Sequence, residues 1–347
     1  MRRRGGGGWR GNGPPGPRSG RLGGNEDNTG GPREYRRETP NRPSNPPPKK
    51  KDPFGDAWGE VDPSTAGNTL NEKDKYGNVI NRKSTERGDN MAKVTSRLKG
   101  KVALCVACSV GIGYAVARRL AQEGAHVIIV SRKQANVDTA VQQLKYEGFL
   151  ASGFPCDVDR EEDRWALLKY VKREFQRVDS LFLNQGTTDG DGKLLDVSIE
   201  QFDKVFQTNV KSRLLQIKQF LPIMPRGSSI VVTNGAVAYS PGNGAGVSYV
   251  SETALLGMTV LLAKELGGAG IRVNAVAPGP IRTRFSTDSW ANKDGVDNEK
   301  KTASSIWLGR IGEPDDVAGC VAFMMSDDAM WLTGQTMVVN GGSHSRL

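Results

Sequence analysis

The chain has 347 residues, 37% of them hydrophobic and 25% charged, with a formal net charge of +10. That is enough for one large domain plus a further segment. Residues 1–98 hold 20 Lys+Arg against 12 Asp+Glu, and the remainder holds 28 against 26, so the later part carries no electrostatic sign of nucleic-acid binding.

The first segment, residues 1–98, opens on MRRRGGGGWRGNGPPGPRSGRLGG, which is rich in Arg, Gly and Pro and lacks apolar periodicity. Prolines and a Lys run continue through Asn41 to Lys51. Such a segment buries too little to offset the entropy of ordering and is predicted to be disordered. A solvated tail is the favoured reading. An Arg-Gly arm that binds RNA is an alternative, and a mitochondrial transit peptide a third, although its glycines and prolines deny it an amphipathic helix. Met91 opens MAKVTSRLKGKVAL, where a stand-alone domain could begin, and the folded domain is placed at residues 99–347.

From Val102 the pattern becomes regular. Val102–Val106 has the length and β-branched content of a buried strand. A small-residue turn, Ala107 to Gly113, leads into a helix with Ala115, Val116 and Leu120 inward and Arg118, Arg119 and Gln122 outward. Gly124 ends that helix, and His126 to Val130 is a second strand. This is a βαβ unit whose first turn, with Ser109, Gly111, Ile112 and Gly113, could cradle a pyrophosphate on helix amides. Further along, helices are expected at Asn136–Gly148, Glu161–Arg177, Ile199–Phe220, Ser248–Leu266 and Pro314–Met325. Strands are expected at Phe149–Cys156, Leu181–Leu183, Ser229–Thr233, Ile271–Val276 and Thr336–Val339. Alternating strands and helices imply a doubly wound α/β fold, a parallel seven-stranded Rossmann sheet with helices on both faces. Ligands in such sheets sit at the carboxyl ends of the strands.

Other motifs read as structural. Cys105-x-x-Cys108 spans a strand and its turn, with no second pair or His cluster to complete a zinc site, so no metal is expected. His126 opens a strand. The longest weakly polar run noted, Val102 to Ala117, is short of the ~20 residues a membrane span needs, and no secretory segment is evident.

The turn Ala107-x-x-x-Gly111-x-Gly113 resembles that of the short-chain dehydrogenase/reductase family, with Ala107 at the first glycine position. So do Asn274-Ala-Val-Ala-Pro-Gly, Arg310-Ile-Gly-Glu-Pro-Asp-Asp-Val-Ala and Thr333-Gly-Gln-Thr-Met-Val-Val-Asn-Gly-Gly. The likeness covers residues 99–342. SRKQANVD, ETALLG and the terminal Ser345-Arg346-Leu347 make it most similar to the peroxisomal NADP-dependent carbonyl/retinal reductase group within that family.

The resemblance implies a nicotinamide dinucleotide. An acidic residue after the second strand would hold the ribose hydroxyls of NAD; here Arg132 and Lys133 stand there instead, and a guanidinium suits the 2′-phosphate of NADP(H). By the same resemblance Asp157 and Val158 border the adenine, Asn184 and Gly186 the adenosine ribose, and Pro278, Gly279, Ile281 and Thr283 the nicotinamide. It also implies a homo-oligomer, a dimer or tetramer. The tail Ser345-Arg346-Leu347 resembles the Ser-Lys-Leu address read by the peroxisomal import receptor, with cytoplasm or mitochondrion as the alternative location.

The family's chemistry uses a Tyr as acid/base, a Lys one helical turn later that lowers its pKa, a Ser that polarises the carbonyl, and an Asn that holds a water relay. Aligned on these, the Ser position is Gly235, the Tyr position Ser248 and the Lys position Glu252; only Asn209 is retained. Tyr249 is a possible rescue, but it lies about 100° further round the helix. The expected protein is therefore a member with impaired catalysis that retains a dinucleotide site. A low-efficiency NADP-dependent carbonyl reductase and an RNA-associated protein acting through its leader are the alternatives.

Overall fold

A computed structural model describes residues 96–188, 192–240, 246–286 and 297–343, and two short strands, Glu72–Lys73 and Val79–Ile80, that pair with each other. The remaining leader and Ser345-Arg346-Leu347 lie outside the described residues.

The seven strands of the large sheet are β1 (Val102–Val106), β2 (His126–Ser131), β3 (Ala151–Pro155), β4 (Ser180–Leu183), β5 (Ser229–Thr233), β6 (Arg272–Pro278) and β7 (Thr336–Val339). Their spatial order is β3-β2-β1-β4-β5-β6-β7, and every pairing is parallel. The order reverses between β1 and β4, which opens a crevice at their carboxyl ends.

Burial follows the pleat. Ala103 and Cys105 of β1, with Val127 and Ile129 of β2, face a cluster holding Val116, Leu120, Leu144, Val317 and Val321. Their neighbours Leu104, Val106, Ile128 and Val130 face the opposite cluster, with Leu167, Val171, Ile217, Phe220, Leu255 and Leu262. Helices α1 (Gly111–Gln122), α2 (Gln134–Tyr146) and α8 (Pro314–Met325) cover the first face. Helices α3 (Glu161–Glu174), α5 (Ser212–Phe220) and α6 (Gly246–Leu266) cover the second. Two short helices, α4 (Ile199–Phe206) and α7 (Asp297–Ser304), lie between these elements in the chain. The core begins with Leu98, which is fully buried, while Arg97 pairs with the buried Glu123 through Nε at 2.8 Å.

Three expectations are corrected. The expected helix 199–220 is not continuous: Gln207–Lys211 is a π turn between α4 and α5. Its cause is Asn209, whose side chain turns inward to bond the Thr187 backbone at both ends, Thr187 N to Oδ1 at 2.8 Å and Nδ2 to Thr187 O at 3.2 Å. The helix α2 closes at Tyr146 rather than Gly148, and α3 at Glu174 rather than Arg177. Finally, the longest apolar run is not Val102–Ala117: the helix Gly246–Ala269 is long and apolar enough to cross a membrane, yet Val247, Leu255, Leu262 and Ala263 on it are buried in the domain, which makes it a core helix.

The cysteines are structural. Cys105 and Cys108 are fully buried and their thiols donate to Ala103 O and Val106 O. Burial pushes Cys156 up to about 12 and Cys320 up to about 11, so neither is a thiolate at neutral pH. Among the described residues no three His, Cys, Asp or Glu side chains group as metal ligands.

Candidate functional site: the carboxyl rim of the sheet

The turn after β1 is the tightest part of the rim. Gly113 lies so close to the start of that turn that a Cβ there would stand 2.5 Å from Ala107 O and 2.7 Å from Cys108 Cα. Both obstacles are backbone, so position 113 admits only glycine without rearrangement. Ala107 holds φ at +57°, a left-handed conformation that costs an L-residue roughly 1–2 kcal/mol and normally calls for glycine. Helix α1 follows with Val110 as its cap, no side-chain cap bond and no acidic residue in its first turn. Among the described residues no side chain caps its leading amides, which together with the helix dipole is the arrangement that receives an anion.

Asn184 ties this turn to the neighbouring strand tips. Its Nδ2 donates to Ala107 O at 3.1 Å, and its Oδ1 accepts from Thr233 Oγ1 at 2.9 Å. One side chain thus spans the carboxyl ends of β1, β4 and β5. On the other side, Thr283 Cγ2 is 3.3 Å from where a Cβ on Gly111 would stand, so the loop after β6 meets the same turn. Gly279 fixes the start of that loop, donating to Val339 O at 2.9 Å beside the end of β7, and Ile281 bridges to Gly312. Ser109 bonds Ser131 at the end of β2 at 3.1 Å, and Arg132 and Lys133 follow, both exposed. After β3, Asp157 takes a hydrogen bond on Oδ1 from Asp159 N at 3.1 Å, and Val158 is buried in the core. Ile112 lies in the first turn of α1, and Gly186 lies beyond β4.

These residues fit a dinucleotide in kind. A backbone cradle meets an uncapped helix start at the switch point of the sheet, and two cations stand at the tip of the neighbouring strand.

The half of the rim near β5 and α6 is different. Asn209 is buried at the π turn, with Nδ2 also donating to Ser251 Oγ at 3.0 Å; Ser251 Oγ donates in turn to Ser248 O at 2.7 Å. Gly235 follows β5, and a Cβ there would lie 3.9 Å from Glu252 Cγ and Cδ. Asn234 closes the corner, with Nδ2 donating to Glu252 O at 3.1 Å and Oδ1 accepting from Gly235 N at 2.7 Å. The structure therefore brings Gly235 and Glu252 together, with Ser248 one helical turn before Glu252 on α6. Ser248 Oγ and Glu252 Oε2 are enclosed and find no partner among the described residues. Burial pushes the Glu252 carboxyl above its ordinary value, and Arg213 and the Gly235 amide pull it back. Tyr249 is partly exposed.

Arg213 is the residue that sequence reasoning missed. Its guanidinium is 2% exposed and donates from Nη1 to Thr233 O at 2.5 Å and from Nη2 to Gln185 O. The available signal was its place four residues after Asn209, on the same helical face.

A family model described as enoyl-(acyl carrier protein) reductase matches residues 106–344. Dehydrogenase/reductase SDR family member 4 of Pongo abelii is 44% identical over 252 residues, covering 72% of this chain and 90% of that protein. Among solved structures, a short-chain dehydrogenase/reductase from Serratia marcescens superposes with a TM-score of 0.66 at 27% identity, over 72% of this chain and all of that one. A blue fluorescent protein from a metagenomic library, in complex with NADPH, gives 0.65 at 30% identity, again over 72% of this chain and all of that one. The sheet order, the glycine turn and these matches agree, and the chain belongs to the short-chain dehydrogenase/reductase family.

Proposed function

We propose that this protein binds NADP(H) at the rim of its sheet and that its catalysis is impaired at the proton-transfer step. The observation that carries the reading is the pair on α6. Where the family resemblance places a phenol and an ammonium, Ser248 and Glu252 present an enclosed hydroxyl and an enclosed carboxyl oxygen, neither with a partner among the described residues.

When bound, the nicotinamide supplies a hydride. The residues of this chain supply the rest. The turn from Ala107 to Gly113 would hold the pyrophosphate on its amides, and Arg132 and Lys133 would pair with the 2′-phosphate. Asp157, Val158, Asn184 and Gly186 would border the adenosine half, and Pro278, Gly279, Ile281 and Thr283 the nicotinamide half. Reduction of a carbonyl also needs a proton at the oxygen, and here the chain is poorly equipped. A serine hydroxyl is a far weaker acid than a phenol beside an ammonium, and Gly235 offers no hydroxyl to polarise the carbonyl. Loss of positioned proton transfer alone costs ~10²–10⁴-fold.

Titrating the full chain with NADPH and NADH by fluorescence, then assaying a reactive dicarbonyl, tests both parts. Saturable binding that favours NADPH, with turnover near background, is expected. No dinucleotide binding refutes the first part. Turnover well above background that survives both Ser248→Ala and Tyr249→Phe refutes the site assignment; turnover lost with either would favour the low-efficiency reductase.

Two further parts of the proposal concern the whole protein. Ile199, Phe202, Val260 and Leu261 are exposed apolar side chains on α4 and α6, and they support a homo-oligomer. Light scattering on the purified chain measures its mass directly. The tail Ser345-Arg346-Leu347 supports peroxisomal import, and a fluorescent fusion that becomes cytosolic on removing the three residues is the expected result.

A further inference from the structure

Arg213 heads the fully enclosed side chains of this domain by volume, and nothing in the dinucleotide reading uses it. It stands on α5 and reaches toward the tips of β4 and β5, where Gln185 O and Thr233 O accept from its two terminal nitrogens. Its Nε finds no partner among the described residues. Glu252 approaches the same corner from α6, with an enclosed oxygen that is likewise without a partner. Both residues meet the segment 233–235, without forming a direct ion pair: Arg213 bonds Thr233 O, and Asn234 bonds Glu252 O. A Cβ on Gly186, next to Gln185, would lie 3.9 Å from Arg213 Nη2, and one on Gly235, two residues past Thr233, would lie 3.9 Å from Glu252 Cδ. Burial lowers Arg213 to about 10, and Glu252 is the charge that opposes that shift.

We propose that Arg213 and Glu252 are a coupled buried counter-charge pair, and that Arg213 decides which charge position 252 can carry. An isolated buried cation is costly unless an opposite charge or hydrogen bonds compensate it, and two carbonyls satisfy only part of the guanidinium. A carboxylate on the facing helix supplies the missing compensation. An ammonium at position 252 would instead place like charges in one enclosed, weakly screened corner. The negative residue at 252 and the buried arginine at 213 therefore form one electrostatic unit. This inference goes beyond the cofactor reading and does not depend on it.

A double-mutant cycle on the full chain tests it, read as the chemical-denaturation equilibrium of Glu252→Lys, Glu252→Gln and Arg213→Leu, singly and combined. With Arg213 present, Glu252→Lys should raise the unfolding equilibrium constant more than Glu252→Gln does, by about tenfold or more. In the Arg213→Leu background the same lysine should cost less than it does beside arginine. The unpaired carbonyls left by leucine occur in both arms and cancel. Equal cost of lysine in the two backgrounds overturns the proposal. Should Arg213→Leu fail to fold, the comparison with arginine in place still decides: Glu252→Lys no less stable than Glu252→Gln overturns it.

Discussion

The two halves of the rim use the same architecture to different ends. Around β1, α1 and β2 the residue types match what a phosphate cradle requires: Gly113 against backbone, an uncapped helix start, cations beyond β2. Around β5 and α6 Asn209 and Asn234 are likewise bonded in place, yet the side chains at positions 235, 248 and 252 are not the phenol, ammonium and hydroxyl that the family resemblance expects there. The difference lies in what each half is tied to. The cradle is coupled to folding, because a larger residue at 113 collides with the chain itself. A proton relay is side-chain chemistry on a helix that folds with or without it. A chain can thus lose the second and keep the first.

The largest expected effect would come from rebuilding the weaker half. Gly235→Ser, Ser248→Tyr and Glu252→Lys, introduced together with Arg213→Leu, should raise NADPH-dependent dicarbonyl reduction by ~10²–10⁴-fold in steady-state assays. If activity stays flat while the variant still folds and binds NADPH, these positions are not what limits the chemistry. Next comes damage to the stronger half. Gly113→Ala forces a backbone shift of Ala107 and Cys108, and should cost about 1–3 kcal/mol of stability together with the NADPH fluorescence signal. A wild-type denaturation midpoint would contradict the steric argument. Smaller again is Arg132→Ala, expected to weaken NADPH about tenfold and leave NADH unchanged, as befits one charge-assisted contact to a phosphate. Parallel losses for both cofactors would move Arg132 away from the 2′-phosphate.

The smallest effect is a pH dependence at the opposite, amino end of the sheet, where His126 opens β2. His126 packs edge-on against Phe175 at 4.8 Å and bonds Ser152 at 2.9 Å. Burial, with a lesser contribution from Lys145, lowers its pKa below the ordinary 6.5. The folded chain therefore binds this proton less readily than the unfolded chain, so the contribution of His126 is present above pH 6.5 and is lost as pH falls through the lowered value. Denaturant midpoints measured across that range should slope less in His126→Phe, which keeps a ring but no proton; an unchanged slope would remove His126 as its source.

Much of this was legible from one sequence. Strand and helix positions followed from apolar runs and helical periodicity, because the central strands are buried on both faces and the helices that cover them on one. The glycine turn was legible because backbone proximity excludes side chains. The interruption at Gln207–Lys211 was not, since its cause is Asn209 bonding Thr187, a partner 22 residues away. Arg213 was passed over for the same reason. In the linear chain it is one more charge on a helix, and its enclosed hydrogen bonds go to Gln185, in the loop after β4, and to Thr233, at the end of β5.

By itself the sequence determined the alternation of elements, the doubly wound class, the glycine turn after β1 and the residue types at positions 235, 248 and 252. All of these are local: they depend on residue type and on spacing within one element or one turn. Only the tertiary structure decided that Asn184 links three strand tips, that Gly235 and Glu252 share a corner, and that the corner holds a buried guanidinium. Those are contacts between residues far apart in the chain, and the energy of a buried charge depends on what else the fold has carried out of water beside it.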